Sequence, residues 1–254
     1  MVRIIDVCSG KGGVGKTTIA ANLGLALTQL GKRVVVVDCN LTTSHLGLLF
    51  GTYSYPLTLN NFLRGEVKLK DVVYVHPSGL RIVPASLELK DLIDVNITNF
   101  KEILREIFID FDFVFLDSAP GLGKEALIPL QAADEILFVA NPFLPSLVDI
   151  VKCKQLINSF DSRPIVLGIV LNRVKKKSYE ISSEEVRQFT ELSVIGIVPE
   201  DEKVLESTNK RTLVLISHKN SPSSKAFFEI ASKLAGIEYK KPGFIEILSK
   251  ILKR

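Results

Sequence analysis

A glycine-rich segment near the start of the chain restricts the fold more than any other feature. Residues 9–18 read Ser-Gly-Lys-Gly-Gly-Val-Gly-Lys-Thr-Thr, and Gly10, Gly15, Lys16 and Thr17 satisfy the pattern G-x-x-x-x-G-K-[ST]. In such a loop, backbone N–H groups surround phosphate, the lysine reaches the terminal phosphates and the threonine hydroxyl binds Mg²⁺. An apolar run precedes the segment and a helical stretch follows it. The sequence therefore predicts a phosphate-binding loop between a strand and a helix.

The same glycines permit a second interpretation. Gly10, Gly12 and Gly15 also fit G-x-G-x-x-G, and Asp38 lies about where a dinucleotide-binding fold keeps its ribose-binding acid. That interpretation leaves Lys16 without a role, because close packing of the helix on the strand favours small residues there. We therefore favour the phosphate loop, with a nicotinamide-dependent oxidoreductase as an alternative.

Apolar runs alternate with helical stretches along the chain. We expect buried strands at 4–7, 33–38, 111–116, 135–140, 164–171 and 194–198, and short strands at 72–75 and 80–83. We expect helices at 17–30, 59–63, 88–109, 145–158 and 224–235. The alternation predicts an α/β fold, with a doubly wound, mainly parallel sheet and helices on both faces.

Two carboxylates stand at the ends of predicted strands. Asp38 closes the run 33–38, and Asp117 follows the run 111–116. Ligands of open α/β sheets bind at the carboxyl ends of the strands. Asp117 is placed like the carboxylate that holds Mg²⁺ in phosphate-loop enzymes.

Composition narrows the class of protein. The 254 residues are 46% hydrophobic and 24% charged, which is typical of a folded globular chain, and the net charge of +4 is too small to indicate a nucleic-acid binder. Cys8, Cys39 and Cys153 are scattered and lack paired spacing, so we expect neither disulfides nor a cysteine metal site. No leader precedes the first strand, and no apolar run approaches the ~18 residues of a membrane span. These features predict a cytoplasmic protein.

The end of the chain has a different pattern. Residues 244–254, from Phe244 to Arg254, hold six apolar side chains that fall within an arc of roughly 160° on a helix. A helix of this length is about 16 Å long, too short to cross a bilayer. Its polar face is mainly basic, and Lys240 and Lys241 precede it. The pattern favours an amphipathic helix on an anionic membrane surface, with docking on its own domain as the alternative.

A second lysine in the phosphate loop points to a family. Residues 11–18, Lys-Gly-Gly-Val-Gly-Lys-Thr-Thr, resemble the deviant phosphate loop of the MinD/ParA ATPases. The resemblance implies an ATPase of the P-loop NTPase fold that uses ATP and Mg²⁺ and forms a homodimer with ATP. It also implies that Lys11 crosses the dimer interface to the nucleotide of the other subunit.

The resemblance extends to the site residues. It implies nucleotide binding by the loop residues Gly10, Lys11, Gly12, Gly13, Val14, Gly15, Lys16, Thr17 and Thr18. Thr17 and Asp117 would hold Mg²⁺, with Lys16 and Lys11 as catalytic cations. Asp38 and Asn40 match the first switch, where family members usually show Asp-x-Asp, and as catalytic residues they would position the attacking water. Because an amide orients water but cannot take its proton, Asn40 predicts slow or partner-dependent hydrolysis.

The remaining family positions lie later in the chain. Gly121 matches the glycine whose amide senses the terminal phosphate, although Ala119 and Pro120 are exchanged relative to the common order Asp-x-Pro-Ala-Gly. Asn172 and Pro199 match residues that contact adenine.

The resemblance also implies an organisation and a role. Residues 1–236 would form the ATPase domain, 237–243 a linker, and 244–254 a membrane-targeting helix. A MinD-like ATPase would bind peripherally at the inner face of the cell membrane and leave on hydrolysis. It would act with a regulatory protein partner in spatial positioning such as cell-division site selection.

Two other roles within the superfamily stay open. A ParA-like DNA-partitioning ATPase would bind nonspecific DNA through Lys175, Lys176 and Lys177. An iron–sulfur carrier should show a paired-cysteine motif, which this sequence lacks.

Overall fold

The structure, a computed structural model, describes residues 1–52, 54–87 and 99–238. The predicted terminal helix at 244–254 lies outside these residues, as does most of the predicted linker. The first part of the helix predicted at 88–109 also lies outside them.

Eight strands form one sheet in the described part of the chain. They are β1 (Arg3–Cys8), β2 (Val34–Cys39), β3 (Tyr74–Val75), β4 (Arg81–Val83), β5 (Phe113–Ser118), β6 (Glu135–Ala140), β7 (Ile165–Val174) and β8 (Val194–Pro199). Their order is β3-β4-β2-β5-β1-β6-β7-β8, and every neighbouring pair is parallel except β3 with β4. The strands that follow β1 in the chain lie on both sides of it. The predicted doubly wound, mainly parallel sheet is confirmed.

Helices connect these strands. They are α1 (Lys16–Gln29), α2 (Leu46–Leu49), α3 (Leu59–Leu63), α4 (Phe100–Ile107), α5 (Lys124–Ala132), α6 (Leu144–Asn158), α7 (Ser183–Thr190), α8 (Glu202–Asn209), α9 (Val214–Ser217) and α10 (Pro222–Ala235). Five of these helices, α2, α5, α7, α8 and α9, were not predicted from the sequence. Within the described ranges, no helix has the length and apolar character needed to cross a membrane.

Alternate side chains of the central strands pack on opposite faces of the sheet. On β1, Ile5 and Val7 belong to a core shared with α1 and α10, whereas Ile4 belongs to a core shared with α3 and α4. A third core lies beneath α6 and includes Cys8. Because both faces are covered, the central strands are largely apolar rather than alternating regularly with polar residues.

The first helix lies unusually close to the sheet. A Cβ atom on Gly24 of α1 would lie 2.6 Å from Cγ2 of Val36 on β2, a distance that side chains do not tolerate. The glycine therefore permits the close approach of α1 to the sheet. A loop at residues 9–15 joins the carboxyl end of β1 to the start of this helix.

One short predicted strand is partly wrong. We predicted a strand at 72–75, but Val72 ends a 3-10 helix (Leu69–Val72), and the strand begins only at Tyr74. The turn forms because the Asp71 carboxylate accepts a hydrogen bond from the backbone N–H of Lys68 at 3.0 Å. A local side-chain bond of this kind competes with strand pairing.

The core under α10 gives a stability prediction. Phe227→Ala removes a fully buried ring between α10 and the sheet, and we expect a loss of ~3–5 kcal/mol in the free energy of unfolding. Phe189→Ala on α7 is the matched control, because that ring is 47% exposed and its loss should cost less than ~0.5 kcal/mol. Urea denaturation followed by circular dichroism measures both values. Equal costs for the two variants would contradict the packing described here.

Candidate nucleotide site

The glycine-rich loop runs from the end of β1 to the start of α1. Gly13 has φ +77° and Gly15 has φ +99°, values that residues with side chains rarely adopt. Gly10 lies so close to α6 that a Cβ atom would be 2.6 Å from Cβ of Asp149. Between these glycines, Val14 is buried in the core and anchors the loop. The loop thus leaves backbone N–H groups at the N-terminus of α1, where anions bind.

The loop lysine is buried beside carboxylates. Lys16 is only 7% exposed, and its Nζ donates a hydrogen bond to Oγ of Ser9 at 3.0 Å. Burial lowers the pKa of Lys16, and the negative charge of Asp117 is the largest influence opposing that shift. A phosphate group at the loop would offset the same desolvation, because it supplies negative charge next to the amine.

The second loop lysine is in a different environment. Lys11 is exposed at the tip of the loop. Its backbone oxygen accepts a hydrogen bond from Oγ of Ser9 at 2.7 Å, whereas its amine has no hydrogen bond or ion pair with any described residue. The Lys11 side chain is therefore available to a partner outside this chain.

Two carboxylates lie side by side at the ends of β2 and β5, but they differ in hydrogen bonding. Asp38 and Asp117 are paired in the strand register. Oδ1 of Asp38 accepts from the N–H of Asn40 at 3.0 Å, and its Oδ2 accepts from Oγ of Ser44 at 2.6 Å and the N–H of Leu46 at 3.3 Å. Asp38 thus organises the loop that follows β2. Burial raises its pKa to about 6, against the effect of these hydrogen bonds.

Asp117 is buried with both carboxylate oxygens unpartnered. Neither oxygen accepts a hydrogen bond of ordinary length and angle from any residue that the structure describes. Burial and the charge of Asp38 raise the pKa of Asp117 well above its usual range, and the nearby Thr17 hydroxyl and Lys16 amine act in the opposite direction. Two free carboxylate oxygens beside a threonine hydroxyl are the hard oxygen ligands that Mg²⁺ prefers. These residues therefore fit the ion predicted from the sequence.

The side chain of Asn40 is occupied within its own loop. Its Oδ1 accepts from the N–H of Thr43 at 3.3 Å and from Oγ1 of Thr43 at 3.1 Å, and its Nδ2 donates to the carbonyl of Thr43 at 2.8 Å. Orienting a water would require the amide to leave at least one of these bonds. The geometry thus shows a loop-forming contact for Asn40, and its catalytic role stays a prediction.

The segment after β5 reaches back to the phosphate loop. Gly121 has φ +86°, and its N–H donates to the carbonyl of Ser9 at 3.4 Å. The loop after β2 is also linked to α5, because Oγ1 of Thr42 donates to Oε2 of Glu125 at 3.0 Å. Both segments therefore meet at the edge of the sheet that carries the loop.

Asn172 contacts the phosphate loop directly. Its Nδ2 donates to the carbonyl of Val14 at 2.8 Å, and a Cβ atom on Gly15 would lie 2.3 Å from that nitrogen. The amide thus supports the loop from β7, a role that the sequence did not indicate. Pro199 ends the neighbouring strand β8, where it pairs with Val174. The adenine contacts of Asn172 and Pro199 stay predictions.

One charged residue of the site was missed altogether. Asp6 is fully buried in β1, where its Oδ1 accepts a hydrogen bond from Oγ of Ser118 and its Oδ2 has no partner in the described part of the chain. Burial raises the pKa of Asp6 to about 7, whereas the Ser118 hydrogen bond and the Lys16 amine lower it. The signal was present in the sequence, because this acid interrupts the apolar run at 4–7.

The close approach of loop and α6 can be tested by substitution. Gly10→Ala places a methyl group 2.8 Å from the backbone oxygen of Asp149, so the loop must move, and we expect ADP affinity to fall by about tenfold. Gly31→Ala is the matched control. Gly31 has φ +82° in open space, so alanine should cost ~1 kcal/mol of stability and leave ADP affinity unchanged. Titration calorimetry with ADP decides, and an equal loss of affinity in both variants would contradict this assignment.

Comparisons with known proteins agree with this geometry. The profile of the family described as CobQ/CobB/MinD/ParA nucleotide binding domain matches residues 5–214. An uncharacterized ATP-binding protein of Methanocaldococcus jannaschii is 35% identical over 259 residues, covering 100% of this chain and 96% of that relative.

Two solved structures extend the similarity to three dimensions. The septum site-determining protein MinD of Pyrococcus horikoshii, complexed with Mg-ADP, is 30% identical with a TM-score of 0.87, covering 95% of this chain and 100% of that one. A chain in the MinC:MinD cell division protein complex of Aquifex aeolicus is 29% identical with a TM-score of 0.82, covering 94% and 98%. Because the family profile covers most of the residues and the loop has the geometry of a phosphate site, the chain belongs to the MinD/ParA family of nucleotide-binding ATPases.

Proposed function

We propose that this chain is a MinD-like ATPase, which joins a second copy when ATP binds, associates with a membrane surface and is released by hydrolysis. The observation that carries the proposal is the buried Asp117, whose two unpartnered oxygens lie near Thr17 and Lys16 at the glycine-rich loop. An uncompensated buried carboxylate is costly, and a divalent cation with a nucleotide would offset that cost.

The residues of the loop divide the work of binding phosphate. Backbone N–H groups at the start of α1 donate to the phosphates, and Lys16 stabilises charge on the terminal ones. Thr17 and Asp117 would hold Mg²⁺, and the bound ion would neutralise negative charge on the phosphates. Asp38 keeps the first switch close to this site through its three hydrogen bonds.

Dimerisation would be driven through Lys11. Its amine is exposed and has no partner among the described residues, although it stands in a loop that is otherwise tightly anchored. A cation in that position can reach a phosphate of a second subunit that faces the same edge. The complex of MinC with MinD from Aquifex aeolicus supports a regulatory protein partner for the dimer.

Membrane association would use residues 244–254. The amphipathic pattern and the basic polar face favour a surface rich in anionic lipid. One short helix binds weakly, whereas two helices on one dimer bind by avidity, so ATP would control attachment without any new lipid contact. The proposed location is therefore the cytoplasm and the inner face of the cell membrane, and the proposed role is spatial positioning such as division-site selection.

A ParA-like role on DNA is the second candidate, because the loop after β7 is exposed and basic. Lys175, Lys176 and Lys177 are all exposed, and the Glu180 carboxylate orders this loop by accepting from the backbone N–H groups of Lys175 and Lys177. An ordered basic loop could contact phosphates of nucleic acid. Binding to mixed-sequence DNA that depends on ATP and on these lysines would favour this candidate.

The two loop lysines give a paired prediction. Lys16→Ala should abolish both nucleotide binding and ATP-dependent dimerisation, because it removes the amine buried next to the phosphates. Lys11→Ala should keep ADP affinity within about twofold of wild type and lose only dimerisation, since its amine is exposed. Calorimetry measures the affinity, and light scattering measures the mass.

The control for this pair is Lys70→Ala, which removes an exposed lysine from the 3-10 helix after α3. It should leave both readouts unchanged. A Lys16→Ala variant that still dimerises only with ATP would remove this lysine from the mechanism, and a Lys11→Ala dimer would remove the contact across the interface.

The membrane proposal predicts a dependence on nucleotide and on the tail. The full chain should sediment with phosphatidylglycerol vesicles in ATP and not in ADP, and a chain ending at Pro242 should not sediment in either, since it lacks the amphipathic segment. Vesicles of neutral phosphatidylcholine are the lipid control. Sedimentation of the shortened chain, or equal binding in ATP and ADP, would contradict the proposed switch.

A further inference from the structure

A buried carboxylate lies in the central strand, and the proposed mechanism does not use it. Asp6 is fully buried in β1, three residues before Ser9 at the start of the phosphate loop. A carboxyl group in such a position is expensive compared with an apolar side chain. Within residues 1–52, 54–87 and 99–238, only Oδ1 of Asp6 has a hydrogen-bond partner, which is Oγ of Ser118.

That hydrogen bond ties two strands together beyond the end of their backbone ladder. The register of β1 with β5 ends at Val7 and Asp117. Ser118 is one residue further along β5, and on its other side it pairs with Cys39 of β2. The Asp6 side chain therefore holds the last residue of β5 from the side where backbone pairing has stopped.

The hydrogen bond between Asp6 and Ser118 affects Asp117, the carboxylate that is suited to bind Mg²⁺. Neighbouring residues of a strand point to opposite faces, so Ser118 lies on the face of Asp6, and Asp117 lies on the face of Val7. Holding the Ser118 side chain restricts the peptide that joins it to Asp117. The direction of the Asp117 carboxylate then depends on a contact made on the other side of the sheet.

We infer that Asp6 is a positioning residue, which holds Ser118 and thereby orients Asp117 toward the Mg²⁺ of the bound nucleotide. The inference rests on the proposed function. The Asp6 carboxyl group can accept a hydrogen bond from the Ser118 hydroxyl whether or not it is ionised. The positioning role therefore depends on hydrogen bonding and not on charge. An asparagine at this position, which keeps an acceptor oxygen, should serve as well.

The experiment compares ADP affinity with Mg²⁺ and with EDTA, by calorimetry on the full chain. In wild type, Mg²⁺ should tighten ADP binding. Asp6→Val and Ser118→Ala should each reduce the gain from Mg²⁺ by about fivefold, equivalent to ~1 kcal/mol for one hydrogen bond, and should leave affinity in EDTA unchanged. The double variant should match either single one, because both remove the same contact.

Two further variants separate positioning from general damage. Asp6→Asn should restore the gain from Mg²⁺ to within about twofold of wild type, since its amide oxygen accepts from Ser118. Ser232→Ala, at a buried serine on α10 whose side chain has no hydrogen-bond partner among the described residues, should change nothing. The double variant, Asp6→Val with Ser118→Ala, shows whether a loss of stability causes the effect. Replacing both hydrogen-bond partners by apolar groups can be nearly neutral for stability, so this variant should fold and still lose the gain from Mg²⁺.

Each outcome has a definite meaning. If Asp6→Val keeps the full gain from Mg²⁺, or weakens ADP binding equally in EDTA, the positioning role is wrong. If Asp6→Asn behaves like Asp6→Val, the hydrogen bond is not the cause. If wild type itself shows no gain from Mg²⁺, the proposed nucleotide site fails, independently of any effect at Asp6.

Discussion

The absence of side chains at Gly10 and Gly15 allows the whole site to assemble. At these points the loop touches α6 and the Asn172 amide more closely than any Cβ atom would permit. Val14, between them, is buried in the core, and its carbonyl accepts the hydrogen bond from Asn172. The core around Val14 and the side chain of Asn172 therefore fix the loop, and its backbone amides keep a constant direction. Fixed donors bind phosphate better than mobile ones, because no ordering cost remains.

Among the described residues, buried carboxylates outnumber buried amines at this edge of the sheet, and each carboxylate has different hydrogen-bond partners. Asp6 and Asp117 are buried near the amine of Lys16, and a third buried carboxylate, Asp38, lies beside Asp117. Asp38 is saturated by its own loop, and Asp6 is joined to Ser118, whereas Asp117 retains two free oxygens. Residues of one type and similar burial thus have three different hydrogen-bonding environments. The geometry of their neighbours makes the difference.

Family membership and structure agree on the nucleotide, but the chain has features of its own. Asn40 replaces the usual second acid of the first switch, and its amide closes a turn with Thr43. The exchange of Ala119 and Pro120 leaves Gly121 in the left-handed conformation with its N–H toward Ser9. These departures both lie in loops at the edge of the sheet that carries the glycine-rich loop.

The sequence alone determined the fold class, the loop and the two acids at the strand ends, because hydrophobic periodicity and glycine spacing are local signals. It did not indicate the support that Asn172 gives to the loop, or the bond between Asp6 and Ser118. These contacts join residues more than a hundred positions apart, and they depend on which strands become neighbours in the sheet. Tertiary structure also decided which carboxylate is free to bind a cation, since hydrogen bonds at the two acids follow from folded loops and not from residue type.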